Sequence, residues 1–277
     1  MTALATTRAE IRRRIGYMLN DVVELTATAT GTASTFIDAI RVGTNIERPT
    51  GRDIVFTSGT NIGLVRRVTI SDTSTGTLTF SPVTAATAVA DTAEMYNFRL
   101  KGWRVDEYNK FINMAIDEAW PLHATKATVS AAATFSGTTT LIDVPSGIDQ
   151  LESVEYSDSD SLWQEIPQAP NRYGVGWSVE ADGSDVAVRG WNWRNVADGQ
   201  SVRLVGYTRA TVLSADTTET SIPPEWLCYR AASMMCIAAA ERSPNNYNLG
   251  LLFREEADKL KNTIRTRRRG NPKMVTP

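Results

Sequence analysis

Histidine is almost absent from this chain: His123 is the single one. With no second imidazole, two-His metal motifs and His-based catalytic relays of the usual kinds are excluded, and the expectation is a protein that is not an enzyme. Cysteine is nearly as scarce. Cys228 and Cys236 lie eight positions apart in what reads as one helix, ~12 Å along its axis, which is too far for a mutual disulfide. Two thiols suit a reducing cytoplasm. Long hydrophobic runs are missing too. None approaches the ~18–20 residues needed to cross a bilayer, and the opening MTALATTRAEIRRRIG has no apolar core or small-residue cleavage site, so neither a membrane span nor a secretory signal is read here. Acidic residues stop at Asp258, after which come Lys259, Lys261, Arg265, Arg267, Arg268, Arg269 and Lys273.

That last absence splits the charge. Residues 1–258 carry 22 bases against 31 acids, and the last 19 residues carry seven bases and no acid, although the whole chain is only −2. An acidic body with a basic tail points to an arm that meets an anionic surface. Apolar residues make up 42% and charged residues 22% of the 277, so the chain can bury a core and wholesale disorder is excluded.

Thr7 followed three residues later by Glu10 matches a capping box, and Ile11, Ile15, Met18 and Leu19 fall at helical spacing, so a short amphipathic helix is predicted over 7–20. Its other face carries Arg8, Arg12, Arg13 and Arg14 and reads as a solvated basic face, with a contact surface as the alternative. From Val22 to Leu100 the chain turns Thr-rich and β-branched, with TFIDAI, DIVFTS, GLVRRVTI and GTLTFS separated by Gly and Asp turns, which predicts a small all-β unit. Helical period returns from Trp103 to Trp120, where Asp106 can cap and Pro121 stops the run. A second β-rich stretch from Ala127 to Val212 has Asp-Gly turns at Asp182-Gly183 and Asp198-Gly199. After the Ser/Thr/Asp-rich link 214–221, Pro223 and Pro224 can open a helix that is apolar on nearly every side through AASMMCIAAA, and such a helix is buried between neighbours. Leu249, Leu252, Phe253, Ala257, Leu260 and Ile264 mark a last helix, closed by Gly270-Asn-Pro.

The fold class predicted is α+β: a small helical bundle with two inserted antiparallel β units, sandwich or barrel-like. The bundle core is assigned to 1–21 with 101–124 and 222–270, the insertions to 22–100 and 125–221, and an extended C-terminal arm to 271–277. Gly174-Val-Gly176 lacks the third glycine of a dinucleotide fingerprint, and Asp158-Ser-Asp160 lacks the remainder of a calcium loop, so no cofactor, metal or catalytic residue is assigned. Trp191 and Trp193 are two apart in a predicted strand and share a face; core or a subunit interface is the reading, and sugar stacking the alternative. Arg267, Arg268 and Arg269 come without interleaved aromatics or a nucleic-acid motif, so a protein partner is at least as good a reading as nucleic acid.

Four pieces in this order carry a resemblance: the Arg8–Ile15 helix followed by Asn20-Asp21, the Val105–Ala119 helix, the Ile222-Pro-Pro-Glu-Trp226 approach to an Ala-rich helix, and the long last helix with its basic tail. Together they span nearly the whole chain, which resembles the head-to-tail connector (adaptor) proteins of tailed bacteriophages. The 22–100 unit is large for compact members and resembles elaborated ones. The resemblance implies a homo-oligomeric ring, usually of twelve subunits, at the virion neck after synthesis in the host cytoplasm. It implies portal protein above, tail or neck components below, genomic DNA passing without sequence specificity, and no membrane. An acidic body suits a channel in which DNA must slide, because many phosphate contacts would hold it. The expected portal-docking arm comprises Arg265, Arg267, Arg268, Arg269 and Lys273, with Met274 and Val275 as apolar anchors, because arginine forks suit carboxylates. The competing reading is a β-rich phage or bacterial surface adhesin that binds glycans through Trp191 and Trp193.

Overall fold

The computed structural model describes residues 6–44, 46, 48–96, 103–135, 141–157, 162–168, 176–182, 185–191, 199–242, 244–265 and 273–274. In chain order the first elements are β1 (Thr6–Thr7), α1 (Arg8–Met18), β2 (Val22–Thr26), β3 (Thr35–Ile37), the one-turn α2 (Arg41–Thr44), β4 (Asp53–Phe56), β5 (Val65–Asp72), β6 (Thr77–Phe80), β7 (Thr92–Tyr96) and α3 (Val105–Ala119). There follow β8 (Thr125–Thr134), β9 (Leu141–Asp143), β10 (Gln150–Ser157), β11 (Trp163–Ile166), β12 (Gly176–Asp182), β13 (Asp185–Trp191) and β14 (Ser201–Thr208). The chain then runs through β15 (Glu219–Thr220), α4 (Pro224–Ala238), a 3-10 turn at Ala240–Arg242, α5 (Pro244–Ile264) and β16 (Lys273–Met274). Helices and antiparallel sheets are mixed, as an α+β chain requires, and among the described residues no sheet closes into a barrel. Two compact units result: residues 1–118 with 211–264, and residues 119–210 with 265–277.

In the first unit, α1 starts as its sequence dictates. The Thr7 hydroxyl accepts from the Glu10 amide and the Glu10 carboxylate accepts from the Thr7 amide, so two of the amides left orphaned at a helix start are satisfied reciprocally. Ile11, Ile15 and Leu19 are buried on one side. Helix α3 buries Val105, Tyr108, Ile112, Ala115, Ile116 and Ala119. Its cap differs from the expectation: Asp106 lies in the first turn, while the Val105 amide donates to Asp53 of β4 at 3.1 Å and the Arg104 amide to Glu107 at 2.7 Å. A carboxylate from a distant strand replaces the local one.

Helix α4 buries Trp226, Leu227, Cys228, Ala231, Ala232, Ser233, Met235 and Cys236, which covers more than one face and matches its all-round apolar sequence. Helix α5 lies so close to it that a Cβ at Gly250 would sit 2.8 Å from Ile237 Cγ1. The Ser233 hydroxyl uses that approach to donate to the Gly250 carbonyl at 2.8 Å. Ala257 and Ile264 continue the seam, while Leu251 and Leu252 face out.

The β part of this unit is one sheet in the order β2-β7-β4-β5-β6-β3. Phe36, Phe56 and Phe80 stack edge to face inside it, at centroid distances of 6.2 and 5.5 Å, with Leu25, Ile54, Val68, Leu78 and Met95 around them. An isolated bridge between Ala29 and Ile37 brings the chain after β2 against β3.

In the second unit one sheet runs β11-β10-β14-β8, with β16 also on β10, and another runs β12-β13-β9. Leu151, Val154, Val188, Val202 and Leu204 form its core with Trp177, whose indole N–H donates to the Ile166 carbonyl at 3.0 Å.

Candidate functional site

The arginines of α1 are where the sequence expectation fails most clearly. Arg12 has no exposed surface and grips Asp216 with two parallel bonds of 2.7 Å, while Arg8 donates to the same carboxylate at 3.0 Å through Nε and at 2.9 Å through Nη2. The face read as solvated is, at these two positions, a buried clamp. Arg12 also donates to Asn109 of α3 at 3.2 Å and lies over the Tyr96 ring, 5.7 Å from its centroid. Its Nε is buried without an acceptor among the described residues.

The partner segment is the link before α4. The Leu213 carbonyl accepts from Arg8 at 2.9 Å and from the Asn113 amide group at 3.3 Å, and the Leu213 amide donates to Asn113 Oδ1 at 2.9 Å. The backbone carbonyls of Thr218 and Asp216 accept from the first amides of α1, those of Arg8 and Ala9, at 3.0 and 3.2 Å. The antiparallel pairs Thr6–Thr220 and Thr7–Glu219 join β1 to β15. A link that composition marks only as a loop thus fastens α1 to α3. Burial alone would lift the Asp216 carboxyl, yet the hydrogen bonds and charges of Arg12 and Arg8 outweigh it and hold its pKa below the ordinary carboxylate value.

A second set of polar groups continues along α1 to the sheet. Glu94 on β7 is buried and accepts from Arg13 and from the Tyr96 hydroxyl, the latter at 2.6 Å; Tyr17 donates to Glu24 of β2. Tyr108 of α3 donates to the buried Asp21 at 2.6 Å. Burial first, then these carboxylates, push the Tyr96 and Tyr108 phenols well above their ordinary pKa. A cleft of about 230 Å³ opens between Arg13, Glu94 and the threonines Thr26, Thr57 and Thr92. Thr57 and Thr92 already bond each other at 2.8 Å. Arginine does not titrate near neutrality, and phenols raised in this way stay protonated. The arrangement therefore locks segments together through largely buried, hydrogen-bonded polar groups.

Among the described residues no group of three or more His, Cys, Asp or Glu could hold a metal ion, and no helix is long and apolar enough to cross a membrane. Cys228 and Cys236 are buried and not joined by a disulfide. Burial pushes the Cys228 thiol up to about 12, far from the thiolate that reacts. A bulky maleimide is therefore expected to label neither residue in the folded protein and both in urea; rapid native labelling of both would contradict the placement.

The arm residues meet different fates. Arg265 is exposed just beyond α5, and Arg267, Arg268, Arg269 and Val275 lie outside the described residues. Lys273 and Met274, expected on a free extended arm, form β16 and pair antiparallel with Leu151 and Gln150 of β10. Backbone groups of an exposed sheet edge accept any strand, so neither residue carried a local signal of this. Trp191 closes β13 opposite Gly176, and Trp193 lies outside the described residues. Of the neighbouring tryptophans, Trp177 is buried and Trp163 is stacked by the Arg203 guanidinium at 4.2 Å. No protein-family model and no curated protein sequence matches the chain.

Proposed function

We propose that the chain is a structural head-to-tail connector (adaptor) subunit of a tailed bacteriophage, acting by assembly and not by catalysis. In this reading about twelve copies form a ring beneath the portal, join the DNA-filled head to tail or neck components, and line the channel through which genomic DNA passes. The finer architecture proposed is a helical bundle that carries two inserted antiparallel β units.

The observation that carries the reading is the clamp between Arg12 and Asp216, which lie 204 positions apart. By tying the first helix, α3 and the approach to α4 together, it supports reading both β segments as insertions between helices. That is the order the resemblance rests on. Supporting it is the charge split between an acidic body and a basic tail, which favours protein–protein docking at the tail and free sliding of DNA past the body.

Negative-stain electron microscopy of the purified protein, alone and mixed with portal rings, tests this. Rings that stack on the portal are expected. A protein that stays monomeric at high concentration and leaves portal rings undecorated would overturn the reading, as would reproducible turnover of nucleotide, glycan or peptide lost on a single pocket substitution.

A further inference from the structure

The edge of β10 is shared by two strands. Among the described residues, β11 pairs with it from Val154 to Ser157, and β16 covers Gln150 and Leu151. This part of the edge borders the core: Leu151 has no exposed surface and Gln150 only 7%. A bare edge there would leave backbone donors and acceptors unpaired beside apolar side chains, which is costly. Among the described residues, the tail strand meets that need through the pairs Gln150–Met274 and Leu151–Lys273.

Charge gives a second, independent match. Residues 119–210 hold eleven acidic and six basic side chains, whereas residues 265–277 hold five basic and no acidic ones. Those two stretches make up one compact unit, so the unit's own excess of acid is balanced only by the tail. Neither the ladder nor the charge depends on which copy of the chain supplies the tail.

We propose that the β10 edge at Gln150–Leu151 is a strand-acceptor site that, in the assembled ring, takes the Lys273–Met274 strand of a neighbouring copy in exchange for its own. The proposal rests on the ring reading above. The exchanged form repeats every contact of the closed one. The eight residues 265–272 between α5 and β16 span at most about 27 Å when extended, which confines exchange to an adjacent copy. Neighbours fixed in a ring raise the effective concentration of the exchanged arrangement. Each α5 then links its own copy to the next through the tail, as an assembling protein requires.

Two differently tagged chains, one carrying Gln150→Cys and the other Met274→Cys, are co-expressed and oxidised. Directly opposed antiparallel residues have Cα atoms ~4.5–5.5 Å apart, inside the disulfide range. A disulfide-linked pair bearing both tags, mapped to these two positions by mass spectrometry, is expected in the ring fraction. A third variant with both cysteines on one chain controls for register. If that variant closes only within itself and no mixed pair forms in particles that sediment as rings, exchange is overturned and the ring stands. Sedimentation as single chains overturns both. If oxidation carried out after portal rings have been added gives no mixed pair, the tail belongs to the portal and exchange is overturned.

Discussion

Arg12→Met is expected to lower the unfolding free energy of the helical unit by about 3–5 kcal/mol, because it strips a half-buried carboxylate of its main partner in a site closed to water. Arg12 has no exposed surface and Asp216 only 14%, so solvent cannot take over the lost bonds. Asp216→Asn removes the charge from the other side and strands the guanidinium, with a loss of similar size. The double variant Arg12→Met with Asp216→Leu should recover much of it, since an apolar pair of similar volume carries no desolvation cost. Urea unfolding followed by circular dichroism reads all three; single variants within 1 kcal/mol of wild type would show that the clamp contributes nothing. Acid supplies a second reading of the same pair. The Asp216 pKa is lowered on folding, so its contribution is fully present above the unfolded carboxyl value of about 3.9 and disappears as pH falls through the lower folded value. Wild type should therefore lose stability below about pH 4 more steeply than Asp216→Asn, and the two curves should run parallel above about pH 5.

What could be read from the sequence was what is encoded locally. The capping box of Thr7 and Glu10, the all-round apolar α4 and the 21-residue α5 follow from spacing within a few turns, and each formed where expected. The alternation of Thr77-Leu-Thr-Phe80 likewise buried Leu78 and Phe80. Arg12 could not be read that way. Arg8 and Arg12 stand one turn apart on a helix with apolar neighbours, which is also the pattern of a solvated face; only Asp216, far along the chain, decides between them. The same holds for Asp53, whose carboxylate caps α3 across 52 positions, and for the two-residue strands β1, β15 and β16, which are too short to show a period. Trp177 is buried in the core, whereas Trp163 is stacked by Arg203 of β14, reaching across β10. In each case a long-range partner assigns the role.

Gly206→Val is expected to destabilise the second unit by about 3 kcal/mol, through a clash that no rotamer change relieves. Gly206 sits in β14, opposite Leu151 of β10 on one side and Ala127 of β8 on the other. A Cβ there would come within 2.4 Å of the Gln150 carbonyl oxygen and 2.6 Å of Ile148 Cγ2. The first contact is backbone, so β10 itself must shift away from β14 and its ladder with Leu204 and Val205 must loosen. The stretch that moves is Gln150–Leu151, the same one that pairs with β16. Amide exchange should therefore accelerate at Leu151, at Tyr207 and at Lys273 together, while the amides of α4 and α5, in the other compact unit, keep their protection. Gly206→Ala should show the same pattern at smaller amplitude. Unchanged exchange at all three amides in the Val variant would mean that β10 and β14 do not approach each other at Gly206, and the register that places the tail strand on β10 would fall with it.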